Sequence, residues 1–90
     1  MKRIHIYLSG IVQGVSFRHY TVVKAKELGL KGLVRNISDG RVEIASEGNS
    51  DSIDKMIAWC RKGPIGAYVE NLDIQWEEFK NEFSSFQITY

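Results

Sequence analysis

Apolar and polar residues alternate along the first stretch of the chain, and a period of two is typical of a half-buried strand. Ile4, Ile6 and Leu8 are the apolar members of this stretch. The same alternation recurs in residues 33–37 and 42–47, on either side of the turn sequence Ile37-Ser-Asp-Gly40. Glycine in that turn can take a positive φ, so these two stretches are predicted to form a hairpin.

Two further strands are predicted towards the carboxyl end. Leu72, Ile74 and Trp76 alternate with polar residues, and the last five residues, 86–90, form a short strand pattern. Val69 is out of phase with the first of these strands. This indicates either a β-bulge or a later start to the strand.

Two stretches have the spacing of amphipathic helices. Residues 17–28 place apolar side chains within one sector, with Ser16 as the expected side-chain cap and Gly29 as the end. In the second helix, Ile53, Met56, Ile57 and Cys60 form an apolar stripe at i, i+3, i+4 and i+7. Asp51 and Asp54 lie near its positive end, and Gly63-Pro64 stops it.

The order β-α-β-β-α-β, plus a short C-terminal strand, predicts an α+β fold of the ferredoxin-like sandwich type. Right-handed crossovers place both helices on one face of a mixed, mainly antiparallel sheet, with strands one and three at its centre. We expect the other face of the sheet to be open to water. His5, Tyr7, Glu43 and Glu47 alternate towards that face.

Length, composition and charge narrow the class of protein. Ninety residues, 43% hydrophobic and 26% charged, predict a single globular domain over residues 1–90. A net charge of +1 does not favour a nucleic-acid partner. A lone cysteine, Cys60, gives neither a disulfide framework nor metal-ligand spacing. Because the amino terminus resembles neither a signal peptide nor a membrane span, we expect a cytoplasmic protein without membrane association.

Arg18 is in the first turn of the first helix, where its positive charge opposes the helix dipole. Such breaks of a local rule tend to mark functional sites. The preceding loop contains Gly14 and can direct consecutive backbone N–H groups towards one point, which favours an anion. Strand two ends at the same edge of the sheet, so we expect Asn36 to lie near Arg18.

Two longer segments contain these residues, and both resemble signatures of the acylphosphatase family. The first is GIVQGVSFR, residues 10–18, and the second is GLVRNISDGRVEIASEG, residues 32–48. Their order and spacing are those of the family, and the resemblance extends over essentially the whole chain. Leu33 is a departure, because the family more often has an aromatic residue there.

The resemblance implies an enzyme that hydrolyses acyl phosphates to a carboxylate and inorganic phosphate, with no metal and no other cofactor. Arg18 matches the phosphate-binding arginine, and Asn36 matches the asparagine that holds the attacking water. The phosphate-binding loop then comprises Gln13, Gly14, Val15, Ser16, Phe17 and Arg18. A small acyl phosphate is the expected substrate, and a monomer is the expected state.

Two other functions fit the same fold. An RNA-binding module would stack bases on the open sheet face, although Glu43 and Glu47 there would repel phosphate. A non-catalytic phosphate-binding or regulatory domain would keep the loop without the reaction. His5 and His19 are interpreted as surface residues rather than metal ligands, and Cys60 as a small core residue.

Overall fold

The computed structural model describes residues 1–90 and contains seven regular elements. In chain order these are β1 (Lys2–Ile11), α1 (Phe17–Glu27), β2 (Lys31–Asn36), β3 (Val42–Gly48), α2 (Ser50–Lys62), β4 (Tyr68–Glu77) and β5 (Phe86–Ile88). The sheet order is β4-β1-β3-β2-β5, with β5 parallel to β2 and the other neighbours antiparallel. The predicted ferredoxin-like topology is therefore confirmed, and β1 and β3 are central.

The hydrophobic core lies between the sheet and the two helices. Its strand side is formed by the alternating residues of β1 and by Val34, Val42 and Ile44 of the hairpin. The stripe on α2 faces inwards as predicted, with Ile53 and Met56 fully buried. Neither helix is long and apolar enough to cross a membrane.

The two helices begin differently. Asn49 caps α2, because its Oδ1 accepts a hydrogen bond from the Ser52 N–H at 2.9 Å. The prediction that the Ser16 side chain caps α1 is wrong, since this side chain makes no cap hydrogen bond. Ser16 has φ 61° and ψ 24°, whereas a side-chain cap needs an extended backbone. Gly29 follows the end of α1 with φ 70°.

A β-bulge interrupts the pairing of β1 with β4, in the region where Val69 is out of phase with the other apolar residues of β4. Ser9 pairs with Asn71, the next pair is Gly10 with Val69, and Glu70 is skipped. A Cβ on Gly10 would lie 2.2 Å from the Tyr68 carbonyl oxygen. Glycine is required here because the strands approach too closely for a side chain.

The expectation of an open second sheet face holds only in part, because one part of this face is covered and a groove of about 530 Å³ remains over His5, Leu33 and Arg35. Residues 78–85, here called the strap, cross this face between β4 and β5 and are anchored by Glu47. Arg3, Glu43 and Glu47 are buried there, with the Arg3 guanidinium 5.0 Å from the centre of the Phe83 ring. Ion pairs and hydrogen bonds stabilise these charged side chains and compensate for their loss of hydration. The alternation of residues along the strands does not predict this burial.

Candidate active site

A cavity of about 380 Å³ opens at the edge of the sheet where β1 ends and α1 begins. Residues from the loop 12–16, the first turn of α1, the end of β2 and the chain end after β5 converge on it. Its walls are formed by Val12, Gly14, Ser16, Phe17, Arg18, His19, Asn36, Ile88 and Tyr90. Arg18 and Asn36, eighteen positions apart in sequence, thus lie in one cavity.

The backbone of the loop before α1 leaves consecutive N–H groups free. Gly14 and Ser16 both have left-handed φ values, 76° and 61°. The N–H groups of residues 14–16 donate to no other backbone group. Those of residues 17–19 lie in the first helical turn, where no intrahelical acceptor exists. Such a run of unpaired donors at the positive end of a helix dipole is suited to an anion.

The predicted loop residues divide into two groups. The side chains of Gln13 and Val15 lie outside the cavity wall. Gln13 Nε2 donates to the carbonyl oxygens of Ile37 and Arg41, each at 2.9 Å, and so ties the loop to the β2–β3 turn. Val15 packs against the core. These two residues therefore hold the loop in shape, and only their main chain is available to a ligand.

Phe17 anchors the start of α1. Its side chain is buried and meets the Trp59 ring edge to face, with 5.5 Å between the ring centres. Gly63 also lies against this ring, since an added Cβ there would come within 2.8 Å of Phe17 Cε2. The ring is thus held by both α2 and the turn after it, which fixes the position of the loop.

Arg18 is half-buried and has no carboxylate partner within salt-bridge distance. Its guanidinium carbon lies 5.5 Å from the centre of the Tyr90 ring, a cation–π contact that leaves the N–H donors free. A planar fork of donors matches two oxygens of a phosphate. The cavity therefore carries one uncompensated positive charge.

Asn36 presents a buried acceptor to the same region. Its Oδ1 is shielded from solvent and has no hydrogen-bond partner. Buried polar atoms are almost always hydrogen-bonded, so each exception requires an explanation. Because solvent does not reach this oxygen, a water molecule can bind it only after the side chain turns towards the cavity that Asn36 lines.

Four cavity residues were not predicted, namely Val12, His19, Ile88 and Tyr90. Ile88 and Tyr90 reach the site because β5 pairs in parallel with β2, with Val34 opposite Ile88. The last residue of the chain therefore comes beside Asn36, and a parallel pairing of strands two and five was the signal that could have located it. His19 is exposed as predicted, but it also forms part of the cavity wall.

Other reactive groups lie away from this cavity. Burial raises the pKa of Cys60 to about 12, so its thiol stays protonated and is unsuited to nucleophilic attack. No group of three or more His, Cys, Asp and Glu side chains is placed to hold a metal ion. The cavity wall contains no Asp or Glu side chain.

The titratable groups on the strap side of the sheet form a separate ion network. Burial acts to raise the pKa of Glu43, but hydrogen bonds from Arg35 and His5 outweigh it and lower that pKa. His5 Nε2 lies 2.7 Å from Glu43 Oε2, and the His5 ring stacks on Tyr7 at 5.1 Å. The RNA-binding alternative needs an open face here, but the strap covers part of this face and Glu43, beside the remaining groove, would repel phosphate.

Comparison with known proteins gives consistent matches. The family model described as acylphosphatase matches residues 4–88. An acylphosphatase of Methylococcus capsulatus is 48% identical over 98% of this chain and 96% of its own. The crystal structure of acylphosphatase from Bacillus subtilis has a TM-score of 0.96 at 30% identity, with 100% of each chain covered. An acylphosphatase structure from Coxiella burnetii has a TM-score of 0.93 at 39% identity, covering 98% and 92%.

Proposed function

The chain belongs to the acylphosphatase family, and from this premise we propose that it hydrolyses the carboxyl–phosphate bond of acyl phosphates in the cavity around Arg18 and Asn36. The products are a carboxylate and inorganic phosphate. The observation that carries the proposal is the meeting of an unpaired guanidinium, free loop N–H groups and an unpartnered amide oxygen in one cavity.

In the proposed complex, the phosphate group of the substrate occupies the loop. The N–H groups of residues 14–19 and the Arg18 fork donate to its oxygens, whose negative charge also interacts favourably with the dipole of α1. In phosphoryl transfer the enzyme acts mainly by positioning and by stabilising charge on the three equatorial oxygens. An arginine in this role contributes on the order of 10³ to 10⁵ in rate.

The leaving group explains why a site without an Asp or Glu side chain is sufficient. A carboxylic acid has a pKa of about 4. The carboxylate therefore departs without being protonated, and no general acid is required. This matches a cavity whose wall contains no acidic side chain.

Asn36 supplies the position of the nucleophile. With the side chain turned towards the cavity, its Oδ1 accepts a hydrogen bond from a water molecule and thereby aims a lone pair of that water at phosphorus. The new P–O bond forms as the bond to the acyl oxygen breaks, and the proton of the water passes to a phosphate oxygen. A carboxamide does not titrate, so Asn36 contributes positioning and not base catalysis.

The proposal includes a metal-independent reaction by a cytoplasmic monomer that needs no cofactor and no nucleic acid. Hydrolysis of benzoyl phosphate by the pure protein, measured with and without a chelator, tests the central part. We expect equal rates in both conditions. Size-exclusion chromatography tests the monomer.

Arg18→Gln is the variant that tests the cavity, with Arg61→Gln as its control. Arg61 is an exposed arginine on α2, outside the cavity. We expect Arg18→Gln to lose both hydrolysis and the binding of inorganic phosphate, while Arg61→Gln keeps both. Hydrolysis at the wild-type rate by the Arg18→Gln protein would contradict the proposed site.

A further inference from the structure

A second cavity lies on the other flank of α1, between this helix and the end of α2. It is a groove of about 360 Å³ whose lining is mainly apolar. Tyr20, Val23, Trp59, Pro64 and Ile65 form its apolar lining, and Lys24 and Glu27 are its charged members. Ile65 is fully exposed, and Tyr20 and Val23 are about half exposed. A concave site lined mainly by apolar side chains is suited to an apolar ligand.

This groove adjoins the phosphate cavity, because two residues of its lining pack against two residues of the cavity wall. The Tyr20 ring packs edge to face against His19, a cavity residue, with 5.0 Å between the ring centres. Phe17 of the cavity makes the corresponding contact with Trp59 of the groove at 5.5 Å. Two pairs of packed rings at the first turn of α1 thus lie between the two spaces.

The groove also lies on the side of the cavity opposite Asn36. Asn36 and Tyr90 belong to the β2–β5 flank, which packs against α1. The groove is formed with α2, whose contacts are with β4, β3 and β1. In phosphoryl transfer the attacking and leaving oxygens are roughly in line on opposite sides of phosphorus. A water held at Asn36 therefore directs the leaving acyl group away from β2 and towards α2.

From this arrangement we infer that the groove between α1 and α2 binds the apolar acyl group of the substrate, so that the enzyme prefers acyl phosphates with an extended hydrocarbon chain. The inference rests on the proposed function, because it needs the phosphate group in the loop. Val23 and Ile65 are the specificity-determining residues. Neither contacts the phosphate or the water, so both act only on the acyl chain.

The size and chemistry of the groove fit this occupant. Complete burial of one methylene favours binding about fourfold, and a groove open along one side buries about half of that surface. We therefore expect kcat/KM to rise about twofold for each methylene, or about 16-fold from acetyl to hexanoyl phosphate. The leaving groups are all simple alkyl carboxylates, so the chain length changes binding and not intrinsic reactivity.

The test measures kcat/KM for acetyl, butyryl and hexanoyl phosphate in wild type and in the double variant Val23→Thr, Ile65→Ser. Both positions are exposed, so the variant is expected to fold, and thermal unfolding checks this. Trp76→Ser is the matched control, because Trp76 is also half exposed but lies at the far end of β4, paired with Ile4. We expect the double variant to hydrolyse acetyl phosphate at the wild-type rate with a nearly flat series, while Trp76→Ser keeps the full slope.

Two results would overturn the inference in different ways. If wild type hydrolyses acetyl phosphate rapidly and kcat/KM does not rise with chain length, the proposed function stands and the groove does not bind the acyl group. If, in addition, wild type is a dimer and Ile65→Ser dissociates it, the groove binds a second copy of the chain. No hydrolysis of any of the three substrates by wild type would refute the proposed function, and the inference would fail with it.

Discussion

Replacing Glu47 by glutamine should destabilise the protein strongly, although Glu47 lies outside the candidate active site. Its carboxylate is 4% exposed and is surrounded by donors. Oε2 accepts from Arg3 Nη1 at 3.1 Å, and from the backbone N–H groups of Lys80 and Asn81 at 2.8 and 3.1 Å. Oε1 accepts from the N–H of Glu82 at 3.1 Å. One side chain therefore holds the strap against the sheet.

The size of the effect follows from these bonds. A glutamine that keeps its oxygen at the Oε2 position makes the bonds from the Lys80 and Asn81 N–H groups neutral and weakens the bond from the Arg3 guanidinium, which stays charged, at about 1 kcal/mol each. Its NH₂ group then faces the Glu82 N–H, and a buried donor without an acceptor costs about 1–3 kcal/mol. Removing a buried charge recovers part of this. We expect a net loss of about 3 kcal/mol, which lowers the melting temperature of a domain this size by about 12–24 °C.

The pH dependence of the stability tests the same hydrogen bonds of Glu47 independently. Burial acts to raise the pKa of Glu47, but its hydrogen bonds outweigh this and lower the pKa below its ordinary value. A depressed folded-state pKa means that the stabilisation is present above the unfolded value of about 4.3 and is lost as the pH falls through the folded value. The gap in stability between wild type and Glu47→Gln should therefore narrow below about pH 4.

Urea unfolding of both proteins at pH 7, and again at several values down to about pH 3, measures the gap. Glu78→Gln is the control, since Glu78 is exposed at the start of the strap and makes no side-chain hydrogen bond. We expect it to change stability by less than about 0.5 kcal/mol. A loss below about 1 kcal/mol for Glu47→Gln, or a gap that does not change with pH, would refute the anchoring role.

Three further predictions concern the site and its loop. Asn36→Ala should lower kcat on benzoyl phosphate by at least about tenfold with little change in phosphate affinity, because it removes the positioned water; an unchanged kcat would refute that role. Turnover should be flat from about pH 5.5 to 8, since a guanidinium and a carboxamide keep their protonation there, and a step that His19→Asn removes would contradict this. Ser16→Gly should raise stability by up to about 1 kcal/mol, because it relieves a left-handed backbone and loses no cap; a loss of stability in urea unfolding would show that the Ser16 side chain stabilises α1.

Local chemistry accounts for the parts of the fold that were predicted from the sequence. The stripe on α2 and the alternation in β1 each require only a few neighbouring residues, and burial in the structure follows them. The bulge near Val69 was also visible as a local change of phase. The proximity of Arg18 and Asn36 was predicted from the topology, because the topology brings the first turn of α1 and the end of β2 to one edge of the sheet.

Long-range contacts account for what was missed. Glu43 and Glu47 alternate like exposed residues, and only partners distant in sequence, such as Arg3 and the strap, make their burial possible. Tyr90 reaches the cavity through the pairing of β5 with β2, which no local pattern specifies. Ser16 is a residue type that suits a helix cap, but the loop required a left-handed turn there instead. In each case the residue type suits more than one environment, and contacts distant in sequence decide which environment the residue has.

The strap and the candidate site are connected through the chain itself. The strap leads directly into β5, where the Gly32 N–H donates to the Ser85 carbonyl at 2.9 Å and the Thr89 N–H donates to the Val34 carbonyl at the same distance. These bonds fix the chain end, and with it the Tyr90 ring beside Arg18. An arginine without a carboxylate partner needs such a neutral neighbour, because an ion pair would compete with the phosphate of the substrate. The buried ion network thus stabilises the sheet on one face, while the positive charge of Arg18 stays free at its edge for an anion.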